Sequence, residues 1–383
     1  MKVVHVEDRF EPEAGYQINE LIKEQVSLNY DITVITSNIP IFSDIQDLKE
    51  KDKAFEKKYS VHIIRLNPLF VFSQRFYFKR LFRRIDSLKP DIVFLHGIVD
   101  FKDLILFFPQ RKYVIVRDCH MSWVASKNKL SGILPYFYSF IFSRIINNTS
   151  KYKKIYSLGL EETQYLKKLK IKDSKIENLY HGYNSKEVFY SREYRKKIRE
   201  NYGVNESDIF IGYIGKFDKN KQPDLIFDIL NNIDEKYKKR IKILFVGNLN
   251  GDYKLKFLEK STNSELQKCI FYERAQPYEN LYKYYSALDI CIWPKETTLS
   301  SIHAQVCHTI PIMENHLSNR ERVVENKFLY NVNDLEDASN VLQRVIDEFN
   351  QFDFNLISQK LKCRDYTRKV KYLDREWRNM LNE

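Results

Sequence analysis

Residues 289–311 read Asp289-Ile-Cys-Ile-Trp-Pro-Lys-Glu-Thr-Thr-Leu-Ser-Ser-Ile-His-Ala-Gln-Val-Cys-His-Thr-Ile-Pro311, and this stretch decides the fold. Ile290 to Trp293 is an apolar run of strand length that breaks at Pro294. A loop with one acid, Glu296, and a cluster of hydroxyls follows. Helical spacing then starts near Ser300, and Pro311 opens a new apolar run. Strand, loop, helix and strand in that order make a βαβ unit of a parallel sheet. In such sheets ligands collect past a strand's carboxyl end, beside the amide donors of the next helix. Ser300 and Ser301 are the N-cap candidates, and their amides would face an anion there.

The same alternation extends outward in both directions. Upstream, 209–214, 241–247 and 269–272 read as strands, and helices are expected over 224–230 and 278–287. The chain itself opens on a strand at 2–6, a polar loop with Pro12 and Gly15, a helix over 17–28 and a strand at 31–36. Further strands are expected at 61–66, 91–96, 112–116, 154–158 and 176–184, the last ending in a turn at Gly182. Helices are predicted over 75–88, 161–168, 338–349 and 358–380, and 130–146 is an apolar, aromatic segment interrupted by Pro135. Two successive α/β cycles predict two Rossmann-like, doubly wound domains, 1–184 and 185–360, with 361–383 a terminal helix packing back on the first. The opening loop is not G-x-G-x-x-G, so a nicotinamide or flavin fingerprint is absent.

Composition narrows the function. The 383 residues are 43% hydrophobic and 30% charged, which is globular and not disordered. The cysteines (119, 269, 291, 307, 363) are scattered without C-x-x-C spacing, so reduced thiols and no metal site are expected. A strand begins at Lys2, so no signal peptide is expected, and no apolar run reaches the length of a membrane span. A net charge of +12 calls for an anionic partner. No zinc-finger or RNA-recognition signature is present, which argues against nucleic acid. The predicted helix at 75–88 sets Arg75, Lys79, Arg80, Arg83 and Arg84 among Phe76, Phe78, Leu81, Phe82 and Ile85, a candidate contact for an anionic membrane surface.

Two further places carry chemistry. Asp118 and His120 follow the strand at 112–116, where a carboxylate and an imidazole two apart can orient each other or position a hydroxyl. A helix-capping Asp beside a surface His is the plainer alternative. Lys216 and Lys221 flank a loop leading into a helix, where cations complement a diphosphate.

In this order and spacing the segments resemble the GT-B glycosyltransferases of glycosyltransferase family 4, along essentially the whole chain. The opening strand, Pro12, Gly15 and Asp31-Ile-Thr-Val-Ile-Thr-Ser37 are similar to that family's first domain. Asn178-Leu-Tyr-His-Gly182-Tyr-Asn184 with Phe189 resembles its domain-joining P-N-G-V-D…F segment. Gly215-Lys216-Phe217…Lys221 resembles G-R-L-x-x-x-K, with lysine for arginine, and Leu288-Asp289-Ile-Cys-Ile-Trp-Pro294 resembles the strand before the signature loop.

The resemblance implies two domains facing a central cleft and a retaining transfer of sugar from a nucleoside-diphosphate sugar to an acceptor hydroxyl. It implies no metal or other cofactor. The acceptor would be a glycan or lipid-linked molecule in surface polysaccharide or glycolipid assembly. The location would be cytoplasmic, with the inner membrane face as a peripheral site. Lys216 and Lys221 would hold the donor diphosphate, and Gly15 would let the backbone approach it. Ser300 and Ser301 would lie beside the donor, and Glu296 would bond the transferred sugar as the first acid of E-x7-E. His120, with Asp118, matches the first-domain site that meets donor sugar or acceptor; Arg117 takes that slot in another register. The sequence departs at two points. Ala304 stands where the second glutamate is expected, or His303 in an adjacent register, and Tyr16 replaces the second glycine of the first loop. These departures keep a non-catalytic partner subunit of the same fold as the alternative.

Overall fold

A computed structural model describes residues 1–12, 14–41, 44–120, 134–249, 251–295 and 297–382. The chain forms two compact units, Met1–His181 with Tyr366–Glu383, and Gly182–Asp365.

The first unit contains β1 (Lys2–Val6), α1 (Gln17–Val26), β2 (Asp31–Ser37), α2 (Ile45–Tyr59), β3 (His62–Leu66), β4 (Phe70–Phe72), β5 (Arg75–Tyr77), α3 (Leu81–Leu88), β6 (Ile92–Leu95), β7 (Val114–Cys119), α4 (Leu134–Asn148), β8 (Lys154–Ser157), α5 (Leu160–Lys168) and β9 (Ile176–Asn178). A 3-10 helix, Phe101–Phe107, lies between β6 and β7. Seven strands pair in the order β3-β2-β1-β6-β7-β8-β9, all parallel. Val3, Val4, His5 and Val6 are fully buried, because a central parallel strand is covered on both faces. One cover holds Ile18, Leu21 and Ile22 of α1 with Val370, Leu373 and Trp377 near the chain's end. The other holds Leu81, Ile85, Ile105, Ile146 and Leu166. Trp377 Nε1 donates to Tyr156 Oη at 3.0 Å.

The second unit contains α6 (Arg192–Asn201), β10 (Ile209–Ile214), α7 (Leu225–Asn231), α8 (Glu235–Lys238), β11 (Ile241–Val246), α9 (Tyr253–Thr262), β12 (Ile270–Glu273), α10 (Leu281–Ala287), β13 (Ile290–Trp293), α11 (Ser300–Val306), β14 (Ile310–Glu314), α12 (Leu317–Arg320), β15 (Leu329–Tyr330), α13 (Leu335–Glu348) and α14 (Phe354–Leu361). The six strands run parallel in the order β12-β11-β10-β13-β14-β15. All six residues of β10 are buried. Strand order reverses at β1/β6 in one unit and at β10/β13 in the other. Those reversals are where an open parallel sheet leaves a crevice at its carboxyl edge.

Three expectations need correction. Residues 75–88 are not one helix: Arg75–Tyr77 pairs antiparallel with Phe70–Phe72, and only Leu81–Leu88 is helical. Ser73 and Gln74 make the two-residue turn, with φ of 48° and 66°. The helix expected over 358–380 is two, α14 and a final α15 (Tyr366–Asn382), parted by a 3-10 turn at Lys362–Arg364. The unit boundaries fall at 181/182 and 365/366 instead of 184/185 and 360/361, because Tyr183 bridges to Asp365 within the second unit.

Candidate functional site

At the carboxyl edge of the first sheet, β1, β6 and β7 end side by side and converge on Asp118. Asp118 is buried; its Oδ1 accepts the Gly97 amide at 2.7 Å, and its Oδ2 lies 2.6 Å from His96 Nδ1. His120 Nδ1 lies 3.3 Å from Asp118 Oδ1, so the structure joins these two predicted residues. Burial alone would raise the Asp118 pKa, but His96 and His120 outweigh it and hold the carboxyl well below its usual range. Burial alone would lower His120; the Asp118 hydrogen bond and charge, with Glu7, push it up instead. The His120 side chain is 46% exposed, so solvent screens part of that shift, and its upward direction is what the geometry supports. With Nδ1 turned to Asp118, the ring leaves Nε2 for another partner.

Arg117, the alternative in another register, is turned away from the surface. It is fully buried, with Nη2 2.7 Å from Asp100 Oδ2, Nη1 2.6 Å from Asp103 Oδ1, and Nε donating to the Gly97 carbonyl at 2.5 Å. Lys102 extends this buried network, 3.1 Å from Asp100 and 2.6 Å from Asp8. A guanidinium held this way is a structural strut. Gly15 has φ 68°, a left-handed conformation that glycine alone takes without strain, and Tyr16 beyond it is the exposed N-cap of α1.

The second unit brings the loop after β10 to the loop after β13. Lys221 Nζ donates to the Thr297 carbonyl at 2.7 Å, so the cation expected to meet a diphosphate also ties these loops together. Asp218 Oδ1 accepts the amides of Asn220 and Lys221 at 2.8 and 2.9 Å, shaping the turn that delivers Lys221. Lys216 is exposed just past β10, and its carbonyl accepts from Tyr213 Oη. Glu296 lies outside the described residues.

Neither Ser300 nor Ser301 is an N-cap. That position is Leu299; Thr298 Oγ1 accepts the Ser300 amide at 3.2 Å, and Ser301 Oγ donates back to the Thr298 carbonyl at 2.9 Å. The threonine two residues upstream took the capping role. His303 is buried, its ring centroid 5.6 Å from that of Tyr278. Burial lowers its pKa to about 4 against the opposing pull of the Gly182 backbone, so its imidazole is neutral near pH 7. Ala304 is fully buried and has no side-chain polar atom to offer.

Several residues escaped the sequence reading. Glu314, at the end of β14, accepts from Lys295 Nζ, lies 3.0 Å from His316 Nε2, and accepts the Asn333 amide at 2.9 Å. Arg322 donates to Thr297 Oγ1. His5 and His96 were also missed, though an imidazole inside Val3-Val4-His5-Val6 was a visible polar break in a buried strand. Among the described residues, no group of three or more His, Cys, Asp or Glu side chains could hold a metal, and no helix is long and apolar enough to cross a membrane.

Comparison with known proteins bears on the fold. Residues 194–360, within the second unit, match the family model described as "Glycosyl transferases group 1". The two-unit fold is GT-B. HepE of Anabaena, solved in complex with UDP, superposes with a TM-score of 0.74 at 12% identity, covering 98% of this chain and 99% of that one. A glycosyltransferase of Rickettsia africae gives 0.74 at 15% identity, covering 99% and 98%. The sucrose-phosphate synthase of Thermosynechococcus elongatus gives 0.68 at 14%, covering 100% and 99%. Sequence comparison with curated proteins gave no match.

Proposed function

We propose that this protein is a retaining glycosyltransferase that moves a sugar from a nucleoside-diphosphate sugar to an acceptor hydroxyl. One observation carries the reading: in the group 1 domain, Lys216 and Lys221 stand on the loop after β10, at the order reversal, and Lys221 is braced against the loop after β13. Two cations there are suited to the charge that builds on a departing diphosphate. HepE was solved with UDP and with UDP-glucose, which favours a uridine nucleotide as the first donor to try. In the first unit, His120 is a half-exposed imidazole oriented by a buried carboxylate, suited to hold a sugar or acceptor hydroxyl through Nε2. Gly15 and His303 are proposed to line the donor, and Glu296 to bond its sugar. Transfer is proposed to need no metal.

The acceptor side of the proposal is a glycan or lipid-linked hydroxyl in surface polysaccharide or glycolipid assembly, reached from the cytoplasmic side of a membrane. Its support is the outer surface of the first unit. Leu69, Phe70, Val71 and Phe72 of the β4–β5 hairpin are exposed, as are Tyr136, Phe137 and Phe140 on α4. Lys79, Arg80, Arg83 and Arg84 are exposed nearby in sequence. Aromatic and basic groups together suit an anionic bilayer surface.

Calorimetric titration with uridine, guanosine, adenosine and cytidine diphosphates and their sugar conjugates tests the donor site. Selective binding of one nucleotide is expected, weakened about 10- to 100-fold by Lys221→Ala, as for one lost charge-assisted hydrogen bond. A folded protein that binds none of them would point to the non-catalytic partner subunit.

A further inference from the structure

A chain of buried side chains runs from the interior of the first unit to Asp118. Gln25 Oε1 lies 2.8 Å from His5 Nε2, His5 Nδ1 lies 2.9 Å from His96 Nε2, and His96 Nδ1 lies 2.6 Å from Asp118 Oδ2. The two rings are within 11° of parallel. Gln25 and His5 are completely buried, so the inner end does not reach solvent. The chain therefore holds protons in place and cannot pass them through.

The far end sets its polarity. A carboxylate only accepts, so His96 Nδ1 carries a hydrogen toward Asp118. With the Gln25 oxygen against His5, the two rings together would need a third proton, a cation buried beside the core. Turning the Gln25 amide over removes that need. Its nitrogen, which otherwise has no partner, then donates to His5 Nε2, His5 Nδ1–H donates to His96 Nε2, and His96 Nδ1–H donates to Asp118. Burial, then the neighbouring His96, pushes the His5 pKa down to about 3, which agrees with a neutral His5 ring.

We propose that His96, oriented by His5 and Gln25, is a positioning residue: it holds one oxygen of Asp118 so that the other faces His120, and thereby fixes the orientation and proton affinity of His120. This deepens the transferase reading, which supplies the substrate hydroxyl for His120. The groups facing His120 are Asp118 at the end of β7, Glu7 beyond β1 and Lys102 on the 3-10 helix; His96 faces His5, Asp118 and Glu7. Removing His96 leaves Asp118 less stabilised and a stronger partner for His120, so the His120 pKa moves up; removing the Asp118 charge moves it down.

The test is an NMR titration of the full chain labelled at the histidine rings, with the His120 signal assigned by its loss in His120→Gln. Wild type should show His96 as the Nδ1–H tautomer. Asp118→Asn should lower the His120 pKa by about 1 unit, and His96→Phe should raise it by about 0.5–1 unit. His96→Asn, whose amide can still donate to Asp118, should return most of that rise. An Nε2–H tautomer for His96 in wild type overturns the proposal without any variant having to fold. So does a folded His96→Phe protein whose His120 pKa stays where it was. The activity arm is separate: kcat/KM against pH should shift in the same direction as the NMR value. The expected NMR shifts without turnover of any nucleotide sugar would sink the transferase reading and leave this one standing.

Discussion

The two sheets share a strand plan but place their arginine–aspartate clusters at opposite ends. In the first unit Arg117, Asp100, Asp103 and Lys102 form a network at the carboxyl edge. In the second, Asp289 precedes β13 at the amino edge; it accepts from Arg195 at 2.5 Å, Arg199 at 2.9 Å and the Phe210 amide at 2.7 Å. Its carboxyl edge instead carries Lys216, Lys221 and Lys295 in exposed or partly open positions. One edge pairs its buried charges with each other and, among the described residues, leaves the oriented His120 imidazole half exposed. The other keeps its cations near the surface. The difference separates an edge whose charges pair with one another in the interior from one whose lysines stand near solvent.

Removing one charge from each edge should break or sharpen that contrast. Arg117→Met strands Asp100 and Asp103 in the interior and should cost roughly 3–5 kcal/mol in urea unfolding. Lys295→Met leaves Glu314 with the Asn333 amide and His316, so a loss of only about 1–2 kcal/mol is expected. Equal losses would mean that the two edges are built alike.

pH should pull the two edges in opposite directions. His303 has its folded pKa lowered from 6.5 to about 4, so the unfolded chain takes the proton first as pH falls through that window. Stability should drop there by up to roughly 3 kcal/mol, and His303→Phe should flatten this acid limb. His120 is raised, to about 9, so its contribution is complete below pH 6.5 and disappears as pH rises toward 9. Asp118→Asn should flatten that alkaline limb, which solvent screening makes the shallower of the two. Thermal melts across pH 4–10 measure both limbs. The smallest effect is Gly15→Ala, which forces a side chain into a positive-φ position and should cost about 1 kcal/mol by the same unfolding measurement.

Much of the fold was legible because parallel strands buried on both faces read as continuous apolar runs. Ile92 to Leu95, Ile209 to Ile214 and Ile290 to Trp293 are examples. The β4–β5 hairpin was not legible. Its turn uses Ser73 and Gln74 where Asn-Gly or Asp-Gly would have announced the left-handed pair, and the basic and aromatic residues around it also fit helical spacing. In the site, Asp118 and His120 could be paired from their spacing, since both stand at one strand end. The inward turn of Arg117 could not, because Asp100 and Asp103 come from a separate segment whose 3-10 turn carries no strong local signal. The capping of α11 was misread for a related reason. Thr298, Ser300 and Ser301 are equivalent as cap formers, and only the backbone path decides among them.

The placement of α15 has a consequence for the order of folding. Val370, Leu373 and Trp377 pack in the same core cluster as Val3, Ile22 and Phe94. During synthesis the first sheet emerges early, yet this side of its core stays open until residues 366–382 have been made. The unit spanning Gly182–Asp365 has all of its strands and helices before then. Of the two units, the one whose strands are translated earlier is therefore the later to close. Its exposed apolar face in the interval is where a nascent chain would need shielding from aggregation.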